Sequence, residues 1–317
     1  MAAQQSIVIN GDLGSGKTTV SVMLAQRLGV RRISVGDIYR RMAEERGMTA
    51  LQLNLHAELD DEVDGYVDRL QREIARSGEQ LVVDSRLAWF FFTDALKVHL
   101  MVDPTVGAGR VLARPDKAET YSSLAEAKQR LRERSESERV RFLTRYGADK
   151  TRLRNYDLVC DSTRAQPEEI VEHVIAAFEG RLAPEVVREN PPLILADPAR
   201  IYPTQEIGVL RDLDGAPDTT PPADEPAPPL RLGHADGHLF VVDGHRRLSQ
   251  ALRSGSRLVA ASLAAEGDEV VVGGLSARSY FEAEVGRSMI YDWCAAHGTD
   301  LPLPPHLARA GAGTVAE

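Results

Sequence analysis

The segment NGDLGSGKTTV, residues 10–20, constrains the fold of this chain more than any other feature. It satisfies the spacing G-x-x-x-x-G-K-[ST], follows the apolar run SIVIN, and opens an amphipathic helical pattern. In that context glycines let backbone N–H groups close around phosphate oxygens, and the helix N-terminus adds a partial positive charge. We therefore predict a loop that binds the phosphates of ATP. Its predicted binding residues are Gly11, Gly14, Ser15, Gly16, Lys17, Thr18 and Thr19.

A magnesium site is predicted next to this loop. Lys17 would reach the outer phosphates, and the Thr18 hydroxyl can ligate Mg²⁺. A carboxylate at the end of a neighbouring strand should complete the site, and Asp84 ends the apolar run LVVD. The alternative for Asp84 is an ordinary aspartate in a turn. We expect Mg²⁺ as cofactor, held by Thr18 and Asp84.

Short apolar runs alternate with helical patterns through the first 180 or so residues. The predicted strands are 6–10, 81–85, 97–103 and 156–162. The predicted helices are 17–28, 37–47, 61–77, about 119–146 and 167–182. Continuous apolar strands indicate a sheet covered on both faces, and strand–helix alternation indicates parallel pairing. The predicted fold class is therefore α/β, a doubly wound parallel sheet of the P-loop NTPase type.

The length of 317 residues exceeds what one core usually serves, so two domains are expected. The composition changes near RENPPLIL, residues 188–195. We predict a phosphate-loop domain at 1–183, a second, smaller α+β domain at 190–290, and a frayed C-terminal tail at 291–317. The Pro-rich stretch 214–229 would by itself indicate a linker between domains.

Composition also limits the partners and the compartment. The net charge is −9, which argues against general binding to nucleic acid. Cys160 and Cys294 are too few for a disulfide framework, and the N-terminus lacks the features of a signal peptide. No apolar run reaches the length of a membrane span. We expect a cytoplasmic protein that does not enter a membrane. The oligomeric state is not predicted.

Arginines after the predicted strands argue against water as the phosphate acceptor. Two anionic substrates and a moving phosphoryl group need several positive charges, and the planar guanidinium binds phosphate bidentately. Arg40 follows SVGDIY at the start of a predicted helix, and Arg86 follows the strand that contains Asp84. Both are expected at the carboxyl edge of the sheet, where ligands bind in such folds. Arg110 and Arg114 are four residues apart on one predicted helix. The segment RERSESERVRFLTRYG adds several more, among them Arg134 and Arg141, two turns apart, although a solvated, salt-bridged helix is the alternative there.

Four segments together resemble the nucleoside monophosphate kinases, and most closely the archaeal-type cytidylate kinases. They are GDLGSGKTT, SVGDIYRRMAEERGMT, VVDSRLAW and RERSESERVRFLTRYGAD…NYDLVCDST, within about residues 5–180. The resemblance implies a core sheet, a short mobile lid, and γ-phosphoryl transfer from ATP to CMP or dCMP. It implies that Arg40, Arg86 and Asp37 bind the acceptor, and that Arg110 and Arg114 bind ATP. The implied catalytic residues are Lys17, Arg86, Arg134 and Arg141.

Two departures from the family pattern leave the acceptor open. Asp12 stands where a Pro or Ser is more usual, which puts an acidic side chain near the phosphates. SRLAWFFF replaces the usual Gly before Arg86 and adds aromatic residues after it. A modified pyrimidine nucleotide or another phosphorylated acceptor is therefore an alternative. A nucleotide-sensing protein with little or no turnover is the alternative from a different class.

The second domain contains a further strand, glycine turn and helix in VVDGHRRLSQALRSG, residues 241–255. With DPARIYPTQEI upstream, it resembles the ParB/sulfiredoxin-like nucleotide-binding domains. In that case the Pro-rich stretch is a loop inside the domain. No Cys stands beside the turn, so sulfiredoxin chemistry is not expected. The predicted ligand-binding residues are Glu206, Asp243, Gly244, His245 and Arg247.

Three roles remain open for this domain. It binds a second nucleotide and regulates, or it transfers phosphate to a small hydroxyl compound as free-serine kinases do, with Glu206 as base. The third role is packing alone, and His245 by itself is typical of a turn-capping residue. The expected partners of the whole chain are ATP, a nucleoside monophosphate and this possible second nucleotide.

Overall fold

The chain forms two compact units, Met1–Pro184 and Glu185–Glu317. The structure, a computed structural model, describes residues 6–48, 53, 61–113, 121–181, 192–208 and 228–309. Each unit has its own core: Ile9 and Val98 are fully buried in the first, and Phe240 in the second. None of the described helices is both long enough and apolar enough to cross a membrane.

The first unit is built on a parallel sheet. Its strands within the described residues are β1 (Ile7–Gly11), β2 (Arg31–Ser34), β3 (Leu81–Asp84), β4 (Leu96–Met101) and β5 (Leu158–Asp161). They pair in the order β2–β3–β1–β4–β5, and each of these pairings is parallel. β1, β3 and β5 are buried along their whole length, as expected for strands covered on both faces. The predicted strands and the parallel α/β sheet are confirmed.

Helices connect these strands. They are α1 (Lys17–Leu28), α2 (Val35–Glu45), α3 (Asp61–Arg76), α4 (Ala88–Phe91), α5 (Pro104–Leu112), α6 (Leu124–Tyr146) and α7 (Pro167–Phe178). α6 begins later than the predicted 119 because Ser123 caps it, with its Oγ accepting a hydrogen bond from the Glu126 N–H. α2 begins earlier than the predicted 37 because Ser34 caps it in the same way. α7 ends before the predicted 182.

The carboxyl ends of the parallel strands share one edge of the sheet. Gly11, Ser34 and Asp84 end β1, β2 and β3 at this edge. The register pairs Ser34 with Asp84, and Ile9 with Asp84 on the other side. Ligands of open α/β sheets bind outside this edge, so the fold brings the loops predicted to bind substrates together.

The second unit combines a mixed sheet with helices. Its main strands are β6 (Leu193–Ala196), β7 (Ile201–Tyr202), β8 (Leu230–Ala235), β9 (His238–Asp243) and β10 (Val259–Glu266), followed by the hairpin β11 (Val270–Val272) and β12 (Leu275–Ser276). The main strands pair in the order β6–β10–β8–β9–β7. The helices are α8 (His245–Arg253), α9 (Ala277–Glu284), α10 (Arg287–His297) and α11 (Pro305–Arg309).

The structure corrects the tail predicted for residues 291–317. Trp293 on α10 is 1% exposed, and Leu301 is buried as well. The Tyr202 hydroxyl donates to the Pro302 carbonyl oxygen at 2.6 Å. Large apolar side chains thus anchor this segment in the second unit, and the described chain continues to residue 309. Residues 310–317 lie outside the described residues. Residues 209–227, which include most of the Pro-rich stretch 214–229, also lie outside them. They stand between β7 and β8, two strands of one sheet.

Candidate active site

The shape of the phosphate loop depends on two glycines with a left-handed backbone conformation, Gly14 and Gly16. Gly16 caps α1 in the left-handed conformation, with φ of 82°, which a residue with a Cβ adopts only with strain. Gly14 has the same φ, and a Cβ there would lie 2.2 Å from the Gly107 carbonyl oxygen on α5. The Ser15 Oγ is buried and makes no hydrogen bond to any described residue. A hydroxyl in that position is available to a phosphate oxygen.

Lys17 lies across this loop. Its Nζ donates to the Gly11 carbonyl oxygen at 3.4 Å. Burial, together with the charge of Arg86, lowers the pKa of Lys17 to about 8. A buried ammonium beside a guanidinium is stabilised by an anion, and this is the arrangement expected of a residue that binds nucleotide phosphates.

Thr18 and Asp84 meet as predicted for a magnesium site. The Thr18 Oγ1 donates to the Asp84 Oδ2 at 3.3 Å, and the Arg32 Nη2 donates to the same oxygen at 2.9 Å. A hydroxyl and a carboxylate are the hard oxygen ligands that Mg²⁺ takes. The donor set therefore fits the cofactor. Arg32 was missed by sequence reasoning, because its contact depends on the pairing of β2 with β3.

A buried carboxylate on α6 gathers three cations among the described side chains. The Glu138 Oε1 binds the Arg86 Nη1 and, at 3.3 Å, the Arg134 Nε. The Glu138 Oε2 lies 3.0 Å from the Lys150 Nζ. The side chain of Glu138 is 3% exposed and that of Lys150 is 10% exposed. We call Arg86, Arg134, Glu138 and Lys150 the Glu138 cluster; it has more positive than negative groups.

Sequence reasoning did not single out Glu138 or Lys150, because both stand in a run of alternating charges. One signal was available for Glu138. It lies seven residues after Leu131 and four before Phe142, and all three are buried. This spacing places Glu138 on the apolar face of α6, where a solvated carboxylate is not expected.

The structure describes a contact for each of the two arginines predicted on α6. Arg134 belongs to the Glu138 cluster. The guanidinium carbon of Arg141 instead lies 5.5 Å from the centre of the Phe142 ring. The two residues lie two turns apart and share a helix face as predicted, and Arg134 shares the Glu138 Oε1 with Arg86.

Two of the residues predicted to bind the acceptor, Asp37 and Arg40, form a network with Arg32 after β2. Asp37 binds Arg40 through Oδ1, and its Oδ2 lies 3.2 Å from the Arg32 Nη1. Burial alone would raise the pKa of Asp37, but the hydrogen bond and charge of Arg40 outweigh it and lower the pKa. The Arg40 side chain is 56% exposed. Arg40 is therefore accessible to a ligand, and Arg32 links this network to Asp84.

Of the two arginines predicted to bind ATP, the structure describes Arg110 but not Arg114. The Arg110 Nη2 donates to the Ser162 carbonyl oxygen at 2.8 Å and to that of Thr163 at 3.2 Å. Arg110 thus holds the loop that follows β5. The helix expected to carry both arginines ends at Leu112, and Arg114 lies outside the described residues.

The two departures from the family pattern have local explanations. The Asp12 Oδ2 accepts a hydrogen bond from the Val102 N–H at 3.1 Å, which offsets its negative charge at the phosphate loop. The Ser85 Oγ, in place of the usual glycine, donates to the Gln71 Oε1 on α3 at 2.9 Å. Of the aromatic residues that follow, Phe90 packs its ring against that of Tyr146, with centroids 5.8 Å apart.

The second unit brings its two predicted segments together. The Thr204 N–H donates to the His245 Nε2 at 3.1 Å, so this nitrogen carries no proton. Burial lowers the pKa of His245 to about 4. Arg247 lies 3.0 Å from Asp243 and donates to the Pro229 carbonyl oxygen at 2.9 Å, while Glu206 is exposed. His245 therefore joins two turns, and Arg247 has protein partners.

Comparisons with known proteins match the first part of the chain. A family model described as an AAA domain matches residues 7–141. The cytidylate kinase of Methanobrevibacter smithii is 35% identical over 173 residues, covering 55% of this chain and 98% of that protein. The cytidylate kinase of Natronomonas pharaonis is 37% identical over 177 residues, covering 54% and 90%. Among solved structures, shikimate kinase from Bacteroides thetaiotaomicron aligns with 18% identity and a TM-score of 0.40, covering 55% of this chain and 98% of that one.

The matched share of the chain is its N-terminal 55%. The similarity to the two cytidylate kinases extends over nine tenths or more of their own length. The site geometry agrees with it: a phosphate loop, the hydroxyl and carboxylate of Thr18 and Asp84, and the Glu138 cluster lie in one unit. Through this part the chain belongs to the cytidylate kinase family, and it is a nucleoside monophosphate kinase.

Proposed function

We propose that the first unit transfers the γ-phosphoryl group of ATP to CMP or dCMP, with Mg²⁺ as cofactor. The observation that carries the proposal is the Glu138 cluster. Two of its cations, Arg86 and Lys150, act electrostatically on Lys17, the buried lysine of the phosphate loop. Phosphoryl transfer between two anionic substrates needs such an excess of positive charge. The cytidylate kinase relatives support the choice of acceptor.

Each group has a distinct task in the proposed reaction. An oxygen of the acceptor phosphate forms a bond to the γ-phosphorus, and the bond from that phosphorus to ADP breaks. Lys17 and the backbone amides of the phosphate loop bind the donor phosphates. Mg²⁺ would offset the charge on these phosphates, and Thr18 with Asp84 would hold it. Arg40 binds the acceptor phosphate beside Asp37, and Arg86 lies between acceptor and γ-phosphoryl group.

The remaining arginines close the donor side in this proposal. Arg110 and Arg114 would bind ATP, and Arg134 and Arg141 would stabilise the charge on the moving phosphoryl group. Arg134 already lies beside Arg86, through Glu138. Electrostatic groups fixed in place before the reaction lower the barrier because they need no reorganisation in the transition state.

A coupled assay for ADP tests this proposal. CMP, dCMP, UMP, AMP and GMP are added one at a time to the protein with ATP and Mg²⁺. The proposal predicts ADP formation that depends on CMP or dCMP. If ADP formation depended on another monophosphate, that compound would be the acceptor instead. If the rate of ADP formation were the same with and without each monophosphate, the nucleotide-sensing alternative would be favoured. Omitting Mg²⁺ should abolish turnover.

For the second unit we propose an anion site between the turn at 203–206 and the turn at 243–247, for a nucleotide such as CTP or ATP. The contact of Thr204 with His245, which brings these turns together, supports it. Gly244 begins α8 in the left-handed conformation, so backbone N–H groups lie at a helix start beside Arg247. The ParB/sulfiredoxin-like assignment of this unit remains part of the proposal.

Binding to the second unit is best measured in the full chain with Lys17→Ala, which weakens the phosphate loop. Calorimetry with ATP, ADP and CTP should show binding that Arg247→Ala removes and that Arg253→Ala, on the same helix, leaves unchanged. If Lys17→Ala/Arg247→Ala and Lys17→Ala/Arg253→Ala bound these nucleotides equally, the proposed site would be wrong, and packing would be left as the role of this unit. ADP formation that requires added L-serine and is lost in Glu206→Gln would instead assign a free-serine-kinase-like activity.

The reaction is proposed to take place in the cytoplasm. Both cysteines, Cys160 and Cys294, are free thiols in the structure. This agrees with a reducing compartment, which the low cysteine content predicts.

A further inference from the structure

We propose that Lys150 is an additional phosphate-binding residue of the transfer site and that Glu138 positions it. The inference rests on the kinase function of the first unit and adds a residue that the sequence motifs do not contain. Three observations carry it: the contacts of the Lys150 side chain, the anchoring of its backbone to the phosphate loop, and the scarcity of lysine in this chain.

The side chain of Lys150 is buried among groups of the transfer site. Its Nζ lies 3.0 Å from the Glu138 Oε2, while the other oxygen of Glu138 binds Arg86 and Arg134. One carboxylate thus faces two guanidinium groups and an ammonium within the Glu138 cluster. Isolated buried charge is costly, and a bound phosphate would supply the missing negative charge.

Two hydrogen bonds fix the backbone of Lys150 next to the phosphate loop. Lys150 stands between α6 and the short helical turn Leu153–Asn155. Its carbonyl oxygen accepts from the Tyr156 hydroxyl at 2.8 Å, and that hydroxyl accepts from the Asn10 Nδ2 at 2.5 Å. Asn10 immediately precedes Gly11, the first glycine of the loop. The position of Lys150 is therefore set by the strand that carries the phosphate loop.

Lysine is rare in this chain, which has 33 arginines and five lysines. Two of the five, Lys17 and Lys150, lie close enough for the charge of Lys150 to lower the pKa of Lys17. Composition does not account for this coincidence, because the chain uses arginine for most of its other cations. Lysine differs from arginine in being a compact point charge that loses its proton when buried, so its charge responds to a bound anion.

The charged groups around Lys150 make this response measurable. Burial and the charge of Arg86 lower the pKa of Lys150 to about 7. The charged groups that face it are Arg86, Asp12, Lys17, Arg134, Glu136 and Glu138. Phosphate brought against the Lys150 Nζ would raise its pKa, because an opposite charge favours the charged form. Binding near pH 8 should therefore take up a proton at Lys150.

Calorimetry with inorganic tripolyphosphate tests this without depending on turnover. Three variants of the full chain are compared with the wild type: Lys150→Met, Lys150→Arg, and the control Lys97→Met. Lys97 is the second residue of β4, at the amino edge of the sheet and away from the site. We expect Lys150→Met to weaken tripolyphosphate binding by roughly tenfold to 100-fold, the loss of one charge-assisted contact. Lys150→Arg should bind like the wild type, and so should Lys97→Met.

Proton uptake separates phosphate binding from a structural ion pair. It is measured at pH 8 in buffers of different ionisation enthalpy. The wild type should take up more protons than Lys150→Arg, because arginine stays charged; ionisation of the ligand is common to both. Equal uptake, or unchanged affinity in a folded Lys150→Met protein, would overturn the proposal. If Lys150→Met does not fold, the Lys150→Arg comparison decides it. The kinase proposal is tested separately: it would be wrong if the wild-type protein formed no ADP in an acceptor-dependent way.

Discussion

Each unit of this protein has a strand, a left-handed glycine and a helix, and the two turns differ in the charge around them. Gly16 starts α1 with φ of 82°, and Gly244 starts α8 with φ of 107°. In the first, Lys17 is buried beside Arg86 and Lys150. In the second, Arg247 pairs with Asp243, and His245 is neutral and bonded to Thr204. The same backbone motif thus has two different charge balances.

This difference distinguishes two contributions to anion binding: that of the backbone at a glycine turn and that of the charged side chains around it. The backbone N–H groups at the helix start are common to both turns and favour any anion weakly. Several convergent cations in a buried site add the larger electrostatic effect. We therefore expect loss of a single cation to have large effects in the first unit and small effects on turnover in the second.

The largest effect is expected for Lys17→Ala. Loss of this charge from the donor phosphates should lower kcat by about 10²–10³-fold, as for other residues that stabilise transition-state charge. The fold should be unaffected, because a buried lysine with a lowered pKa does not stabilise the folded state. Steady-state kinetics and thermal unfolding check both expectations, with Lys97→Ala as control. Normal turnover in a folded Lys17→Ala protein would contradict the role of the loop.

Acid should destabilise the second unit. Burial lowers the pKa of His238 and His245 to about 4 from an unfolded value of 6.5. The unfolded chain then binds more protons between these values, so the free energy of unfolding falls as pH drops from 6.5 towards 4. Each histidine contributes about 3 kcal/mol to this loss. Denaturant titrations from pH 7 to pH 4 measure it.

The control for the acid prediction is His173→Gln on α7 of the first unit. The variant His245→Gln should flatten the pH dependence of the second unit, because glutamine does not titrate. An unchanged slope in His245→Gln would mean that this histidine is not held neutral by burial, and the contrast between the two turns would weaken.

A smaller effect is expected for Arg86→Ala, and it should fall on the acceptor. A charge-assisted contact to phosphate contributes about 1.5–3 kcal/mol, or roughly tenfold to 150-fold in the KM for the acceptor. The KM for ATP should change far less. The control is Arg31→Ala, whose side chain pairs with Glu79 on the surface. If Arg86→Ala weakened ATP alone, the acceptor site would lie elsewhere.

The smallest effect on turnover is expected for Arg247→Ala. Arg247 is bonded to Asp243 and to backbone carbonyl groups of its own unit, and surface ion pairs contribute about 0–1 kcal/mol. ADP formation without CTP should equal that of the wild type and of the control Arg253→Ala. A marked fall in turnover would show that the second turn takes part in the reaction, and the contrast would have to be abandoned.

Local features of the first unit could be predicted from the sequence, because they depend on neighbouring residues. The phosphate loop, its strand and α1 follow from spacing and periodicity within 25 residues. Contacts over long separations could not be predicted. Arg32 reaches Asp84 across 52 positions, and the cluster joins Arg86 to Glu138 across a similar distance.

The burial of Trp293 shows the same limit in the second unit. The tail prediction relied on the low-complexity residues after 300 and overlooked the helical pattern before them. Whether an apolar side chain anchors a terminal segment depends on the surface it meets, and here Tyr202 bonds to the chain at Pro302. The periodicity of the sequence alone does not predict which surface the terminal segment packs against.

Transfer of the γ-phosphoryl group from ATP to CMP is tested most directly by following that group itself. The full chain is incubated with ATP labelled at the γ-phosphate, Mg²⁺ and CMP, and the products are separated by chromatography. The label should appear in CDP, and Lys17→Ala should slow this transfer by about 10²–10³-fold. Label released as inorganic phosphate at the same rate with and without CMP would contradict it, because water and not the nucleotide would then be the acceptor.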